Sequence, residues 1–186
     1  YTECPELVDQ AQSVVVIDHH RQAGDAISQA VLFYIEPYAS SASEMVSEIS
    51  QYIGNGLKLK PAEAEALYAG IMIDTNNFTD KTGVRTFEAA AWLRSRGAET
   101  AATKRLFNIS KEEYEARAAI VEGAYLYKGC AIATSDELDP AMSVVLPMAA
   151  NDLLTINGVD ASFVAIAKNG GVNISARSMG ALNVQV

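Results

Sequence analysis

At 186 residues, with 49 % apolar and 20 % charged side chains, the chain can bury a proper core in one or two domains and is too apolar to be disordered. No apolar run approaches the roughly 18–20 residues of a membrane span. The net charge of −9 excludes a generally basic nucleic-acid-binding surface, so a phosphate-ester substrate would need positive charge from metal ions. Cys4 and Cys130 stand far apart with no metal-ligand spacing, which fits a reducing, cytosolic setting.

The chain opens at Tyr1 with neither an initiator Met nor a basic leader, and reads as a segment of a longer protein. Pro5 to Gln12 is a short helix or turn. Val14 to Ile17 then gives four β-branched apolar residues, a short buried strand of the parallel-sheet kind. That strand runs directly into Asp18, His19 and His20, and these are the only two histidines of the chain. Ligands bind outside the carboxyl ends of strands in an open α/β sheet, and imidazole plus carboxylate suits a divalent cation. A polar loop or helix start is the plainer reading of the same three residues. Arg21 to Gln29 is loop-like, and Ala30 to Glu36 is a second strand closed by Pro37.

Ser41-Ala-Ser-Glu44 has the pattern of a capping box, and Met45, Val46, Ile49, Tyr52 and Ile53 behind it predict one apolar helix face. Gly54-Asn-Gly56 ends that helix. The next helix opens at Pro61, buries Leu67, Tyr68, Ile71 and Met72, and delivers Asp74 at its end. An aspartate at the negative end of a helix is unfavourable unless something positive is near, which favours a metal ligand over a plain cap or Asx turn. Lys81 to Thr86 reads as a turn, Phe87 to Arg96 as a helix closed by Gly97, and Glu99 to Phe107 as a further helix. Ser110-Lys-Glu-Glu113 is a second capping box, with Tyr114, Ala118, Val121 and Tyr125 continuing it at helical spacing. Beyond Gly129 come a strand at Cys130 to Thr134, an acidic loop at Asp136 to Pro140, and a helix from Pro147 holding Ala149, Leu153 and Ile156. Ala161 to Ala167 and Val172 to Ala176 are strands joined by Lys168-Asn-Gly-Gly171, a hairpin signature. A domain boundary falls near residues 107–112, with the Ser110 helix as connector.

Three ordered motifs carry a family resemblance: Asp18-His19-His20 behind its strand, Tyr38-Ala-Ser-Ser-Ala-Ser-Glu44, and Gly70-Ile-Met-Ile-Asp-Thr-Asn-Asn-Phe78 with Thr82-Gly-Val-Arg-Thr86. With the tail Asn151 to Val164, which is similar to a DHHA1 domain, the chain resembles the DHH/DHHA1 phosphoesterase superfamily. Its likeness within that superfamily is to the GdpP (YybT-type) cyclic-di-AMP phosphodiesterases, to which Tyr1 to Leu7 also point. The resemblance implies an α/β fold: residues 1–108 as the C-terminal portion of a DHH domain, joined by a helix to a smaller DHHA1-type domain at 109–186. It implies a two-manganese (Mn²⁺) phosphodiesterase that opens cyclic di-AMP to linear pApA in the cleft between those domains. His19 and Asp74 become metal ligands, Asp18 orients the His19 ring, and His20 touches the substrate phosphate, so Asp18 and His20 are the catalytic candidates. Arg85 is a second substrate-binding candidate, with a structural surface pair as its alternative, and Arg21 stands in the same position. Ser41 and Ser43 lie near the site in the family pattern but are explained as helix caps. Asn76 and Asn77 either support the metal shell or cap the turn, and Tyr114, Tyr125 and Tyr127 are read as core.

The expected partner is a cyclic dinucleotide and not a long nucleic acid. A homodimer stays open, and a membrane enters only through upstream segments, with the domain on the cytoplasmic side. The superfamily's earlier metal motifs and the glycine-rich, His-containing DHHA1 motif have no counterpart here, so this stretch alone is expected to have little or no activity. Two alternatives stand beside the main reading: a short-oligoribonuclease or pAp phosphatase of the same superfamily, and a non-catalytic nucleotide-binding module.

Overall fold

The computed structural model describes residues 5–21, 27–53, 58–136, 142, 144–168, 170–180 and 182–184. The chain is α/β and divides into two compact units, Tyr1–Asn108 and Ile109–Val186.

In the first unit, helix α1 (Pro5–Gln10) leads into strand β1 (Val14–Asp18), which pairs in parallel with β2 (Ala30–Ile35). The register runs to Asp18 opposite Ile35, and the Glu36 N–H donates to the Asp18 carbonyl at 3.0 Å, so pairing persists to the strand end that carries the histidines. Both strands form where sequence periodicity places them, but burial differs from expectation. Val15, Val31 and Leu32 are all more than half exposed. A parallel pair is normally covered on both faces, and the faces of this one keep apolar surface in the open.

Helices α2 (Ala42–Tyr52), α3 (Pro61–Asp74), α4 (Val84–Ser95) and α5 (Thr100–Arg105) complete the unit. Its core lies between α3 and α4: Ala64, Tyr68, Ile71, Met72, Ala89, Ala90, Leu93 and Ala98, with Leu67, Phe78 and Phe107 packed around them. The i, i+4, i+7, i+8 spacing of Ala64, Tyr68, Ile71 and Met72 presents one stripe, as expected of a helix with a single buried face. Helix α2 behaves otherwise. Met45 is buried, but Tyr52 is 87 % and Ile53 59 % exposed, whereas Ser41, Glu44 and Ser47 are buried. The helix presents small polar side chains inward because it lies close against α3. A Cβ on Gly70 would stand 2.1 Å from Ser43 Oγ and 3.0 Å from Ser43 Cβ. Alanine is the better helix former by about 1 kcal/mol, yet the overlap outweighs it: Gly70→Ala is expected to destabilise the protein by about 1–3 kcal/mol in urea unfolding. An unchanged or raised midpoint would show that α2 and α3 separate freely.

Helix α4 starts at Val84, three residues before the expected Phe87, because Thr86 Oγ1 accepts the Gly83 N–H at 3.1 Å and caps the first turn. It closes at Gly97, whose φ of 99° no side chain adopts comfortably. The expected helix end at Gly54–Gly56 lies outside the described residues.

The second unit opens with α6 (Lys111–Glu122), whose capping box is formed in both directions: Glu113 N–H to Ser110 Oγ at 3.1 Å and Ser110 N–H to Glu113 Oε2 at 2.7 Å. A four-stranded sheet follows in the order β3 (Tyr125–Tyr127), β4 (Cys130–Ser135), β5 (Ala161–Lys168), β6 (Gly171–Ser178). Helix α7 (Val145–Leu154) makes the crossover between the parallel strands β4 and β5. Leu153, Ala149, Ala150, Val164, Ala131, Ala133 and Ile120 form its core. The β5–β6 hairpin forms as the sequence predicts, with Lys168 opposite Gly171. Strand β3 corrects the helical reading of Tyr125: α6 stops at Glu122, Ala118 is exposed, and Tyr114, Tyr125 and Tyr127 are each more than half exposed. Lys128 and Gly129 both have positive φ (48° and 77°), the demand of a two-residue hairpin turn, so the chain folds back into β4. Most of the expected acidic loop, residues 137–140, lies outside the described residues.

Candidate metal and phosphate site

Strand β1 ends at Asp18 and helix α3 ends at Asp74, and the fold brings these two ends together. His19 Nε2 stands 3.6 Å from Asp74 Oδ2, with the His19 side chain 11 % and Asp74 39 % exposed. That separation is too long for a hydrogen bond. Two ligand atoms each about 2.1 Å from one divalent ion stand about 3.0–3.5 Å apart, so the imidazole nitrogen and the carboxylate oxygen at 3.6 Å come close to the spacing of two positions around one cation. Among the described residues no third His, Cys, Asp or Glu joins them in a cluster of metal-binding geometry. The two residues therefore supply one edge of a coordination sphere and not a closed site.

Asp18 is placed differently from expectation. Its Oδ1 accepts the His20 backbone N–H at 3.0 Å and lies 2.7 Å from His20 Nδ1, so the carboxylate holds the His20 ring and not that of His19. The reason is local: a side chain two residues upstream reaches the next turn of backbone, as in an Asx turn. Partial burial alone pushes the Asp18 carboxyl up, but the His20 N–H, the His20 ring and its charge, and the His19 N–H together hold it below the usual carboxylate range. An ionised Asp18 can only accept, so His20 Nδ1 donates and Nε2 is the ring's remaining nitrogen. The His20 ring is 76 % exposed and packs against the His19 ring at a centroid distance of 4.3 Å.

Arg85 lies on the second residue of α4 and is engaged. Its Nε and Nη2 donate to Glu48 Oε1 and Oε2 at 2.8 and 2.7 Å, a two-point pair that ties α4 to α2. These paired bonds push the guanidinium further up from its ordinary value, with the negative charge of Glu48 and Glu44 adding to them. The structural alternative for Arg85 is thus the one this geometry favours over substrate binding. Arg21 is exposed. Ser41 is the N-cap of α2, accepting the Glu44 N–H at 3.0 Å, and Ser43 fills the α2–α3 contact at Gly70.

Sequence reasoning missed Glu44 as more than a capping residue. It is 2 % exposed, and its carboxylate accepts from Ser40 Oγ at 2.5 Å where a capping box would send it to the Ser41 N–H. Three serines within the four residues before Glu44, at the start of an otherwise apolar helix, were the available signal.

The segment after Asp74 is also unusual. Asn76, Asn77 and Phe78 take φ values of 46°, 57° and 63° in succession. A left-handed residue other than glycine costs roughly 1–2 kcal/mol, less for asparagine, and such conformations gather where function fixes the backbone.

Residues 2–71 match the DHH family, N-terminal domain. Over 182 residues the chain is 46 % identical to the cyclic-di-AMP phosphodiesterase GdpP of Geobacillus thermodenitrificans, covering 97 % of this chain and 28 % of that protein. The chain thus spans less than a third of that relative's length. A shorter stretch of 74 residues, 40 % of this chain and 13 % of the relative, is 39 % identical to a probable manganese-dependent inorganic pyrophosphatase of Thermotoga maritima. A crystal structure of an exopolyphosphatase-related protein from Bacteroides fragilis shares the fold, with a TM-score of 0.77 at 22 % identity over 89 % of this chain and 51 % of that one. No helix among the described residues is long and apolar enough to cross a membrane. The matched domain, the histidine pair at the end of β1 and the identity carried along nearly the whole chain agree: residues 2–71 match a DHH-family N-terminal domain, and the chain is similar along its length to one segment of the phosphodiesterase.

Proposed function

We propose that this chain carries part of the centre of a metal-dependent phosphodiesterase that hydrolyses cyclic di-AMP to linear pApA. The observation that carries the reading is the approach of His19 Nε2 to Asp74 Oδ2 at the joined ends of β1 and α3. The 46 % identity to a relative named for that reaction supplies the substrate class. His19 and Asp74 are the two ligands offered to a divalent cation, and manganese suits a mixed imidazole and carboxylate set. Two such ions in the complete centre supply Lewis-acid polarisation of a phosphoryl oxygen and a more acidic water.

The chain's own residues do the rest. Asp18 fixes the proton of His20 on Nδ1 and so fixes the ring's orientation. His20 Nε2 meets a phosphate oxygen only as a donor, with the ring doubly protonated. Glu48 keeps Arg85 in the α2–α4 contact, away from that task. Residues 1–108 are the DHH domain and 109–186 a DHHA1-type domain in this reading. The parent protein works on the cytoplasmic side, and the net charge of −9 weighs against long nucleic acids as partners.

The test is a chimera in which this chain replaces the matched 182 residues of the Geobacillus thermodenitrificans phosphodiesterase. Manganese-dependent conversion of cyclic di-AMP to pApA is expected, with the isolated 186-residue chain showing little turnover because its described residues offer one edge of a site. A folded chimera that leaves cyclic di-AMP intact but cleaves pApA would replace the cyclic substrate with a short linear one. Loss of both activities would remove the reading.

A further inference from the structure

We propose that Thr75 and Phe78 are positioning residues that set the Asp74 carboxylate against His19, with the left-handed segment between them as the rigid link. This deepens the reading of Asp74 as a metal ligand and rests on it. Asp74 is the last residue of α3, where helix ends ordinarily fray. Here the end is bound on every side. Thr75, fully buried, donates its hydroxyl to the Ile71 carbonyl at 2.6 Å, and the same Oγ1 accepts the Phe78 N–H at 2.9 Å. The Thr75 N–H also reaches the Ile71 carbonyl at 3.1 Å, and the Thr75 carbonyl accepts the N–H groups of both Thr79 and Asp80 at 2.8 Å. Asn77 N–H returns to the Met72 carbonyl at 2.8 Å.

One threonine thus closes a ring of backbone that turns the chain under its own helix. Three successive left-handed residues are what that turn requires, and two are asparagines, which tolerate the conformation. Phenylalanine does not favour it, so something must hold Phe78 there. Its ring packs 5.7 Å from Tyr68 and stacks 5.8 Å from Phe87, at 17° between planes, which anchors the turn to α3 and α4. With the ring of Phe78 seated and Thr75 bridging it to Ile71, the backbone of Asp74 has one orientation. Its carboxylate stays at His19 despite the unfavourable helix end.

The experiment uses the 186-residue chain, in which His19 and His20 give the only histidine ring signals. Metal-free NMR spectra are recorded for the unsubstituted chain and for Asp74→Ala, Thr75→Val, Thr75→Ser and Leu93→Val. Leu93 is a buried residue of the same core with no part in the turn, and it serves as a control for stability alone. Thr75→Val is expected to move the His19 signal in the direction Asp74→Ala moves it, while Thr75→Ser and Leu93→Val leave it in place. Manganese titration then reads the second effect: Thr75→Val raises the Mn²⁺ concentration that broadens His19 by about tenfold or more, as removal of a ligand's supporting partner does. Thr75→Val behaving like Leu93→Val in the metal-free spectra would overturn the proposal. Absence of broadening in the unsubstituted chain would mean that one edge of the site does not hold manganese by itself, and the metal-free shifts would still decide the positioning role.

Discussion

His19→Ala and Asp74→Ala, each introduced into the chimera, are expected to lower manganese-dependent turnover of cyclic di-AMP by more than about 100-fold, exceeding the 10–100-fold typical of an outer-shell partner. The two side chains converge from separate elements, one from the end of a strand and one from the end of a helix, and stand 3.6 Å apart. Each offers one donor atom, so removal of either leaves this chain's edge of the centre with a single ligand. Added manganese should restore part of the loss in either single variant and none in the double variant. The Arg85→Ala variant makes the contrast. Because Glu48 already occupies two of its donors, turnover should stay within about threefold, the scale of a partly exposed ion pair. Turnover surviving within tenfold in both ligand variants would sink the assignment, and a large loss in Arg85→Ala would return that residue to the substrate.

The second large effect concerns stability. Leu153→Ala is expected to lower the unfolding free energy by about 2–5 kcal/mol, measured by urea denaturation followed by circular dichroism. Leu153 is fully buried on α7 among Val164, Ala149, Ala150 and Ala131. Tyr52→Ala is the companion. Helical periodicity puts Tyr52 on the apolar face of α2, but it is 87 % exposed, and its truncation should change stability by no more than about 0.5 kcal/mol. If the two variants cost the same, the burial assigned to α7 and α2 would be wrong.

Much of the local architecture was legible. The β-branched run at Val14, the Pro61 helix start with its stripe at Tyr68, Ile71 and Met72, the Ser110 capping box, and the Lys168–Gly171 hairpin each rest on interactions between residues close in sequence. Such interactions are fixed by rotamer preference, cap chemistry and turn geometry, and they survive in most tertiary settings. The candidate site was legible to the same degree: Asp18, His19, His20 and Asp74 stand out as polar groups placed directly behind apolar elements.

The misses have a common cause. Periodicity reports which face a helix can bury, not which face finds a partner. On α2 the close approach of α3 at Gly70 is met by Ser43, and Ser47 and Glu44 are buried while Tyr52 and Ile53 stand exposed. Tyr125 continues the helical spacing of α6, yet Gly123 and the positive φ of Lys128 and Gly129 end the helix and start a hairpin. Asp18 has two histidines within reach along the chain, and only the folded backbone decides that it holds His20.

By itself the sequence determined the α/β class, most of the element order and which side chains stand as candidates for the site, because these follow from short-range sterics and side-chain type. Only the tertiary structure decided that His19 and Asp74, 55 positions apart along the chain, face one another, and that Arg85 is spent on Glu48. Distances between elements depend on how their surfaces pack, and packing is a property of the whole core and not of any one stretch.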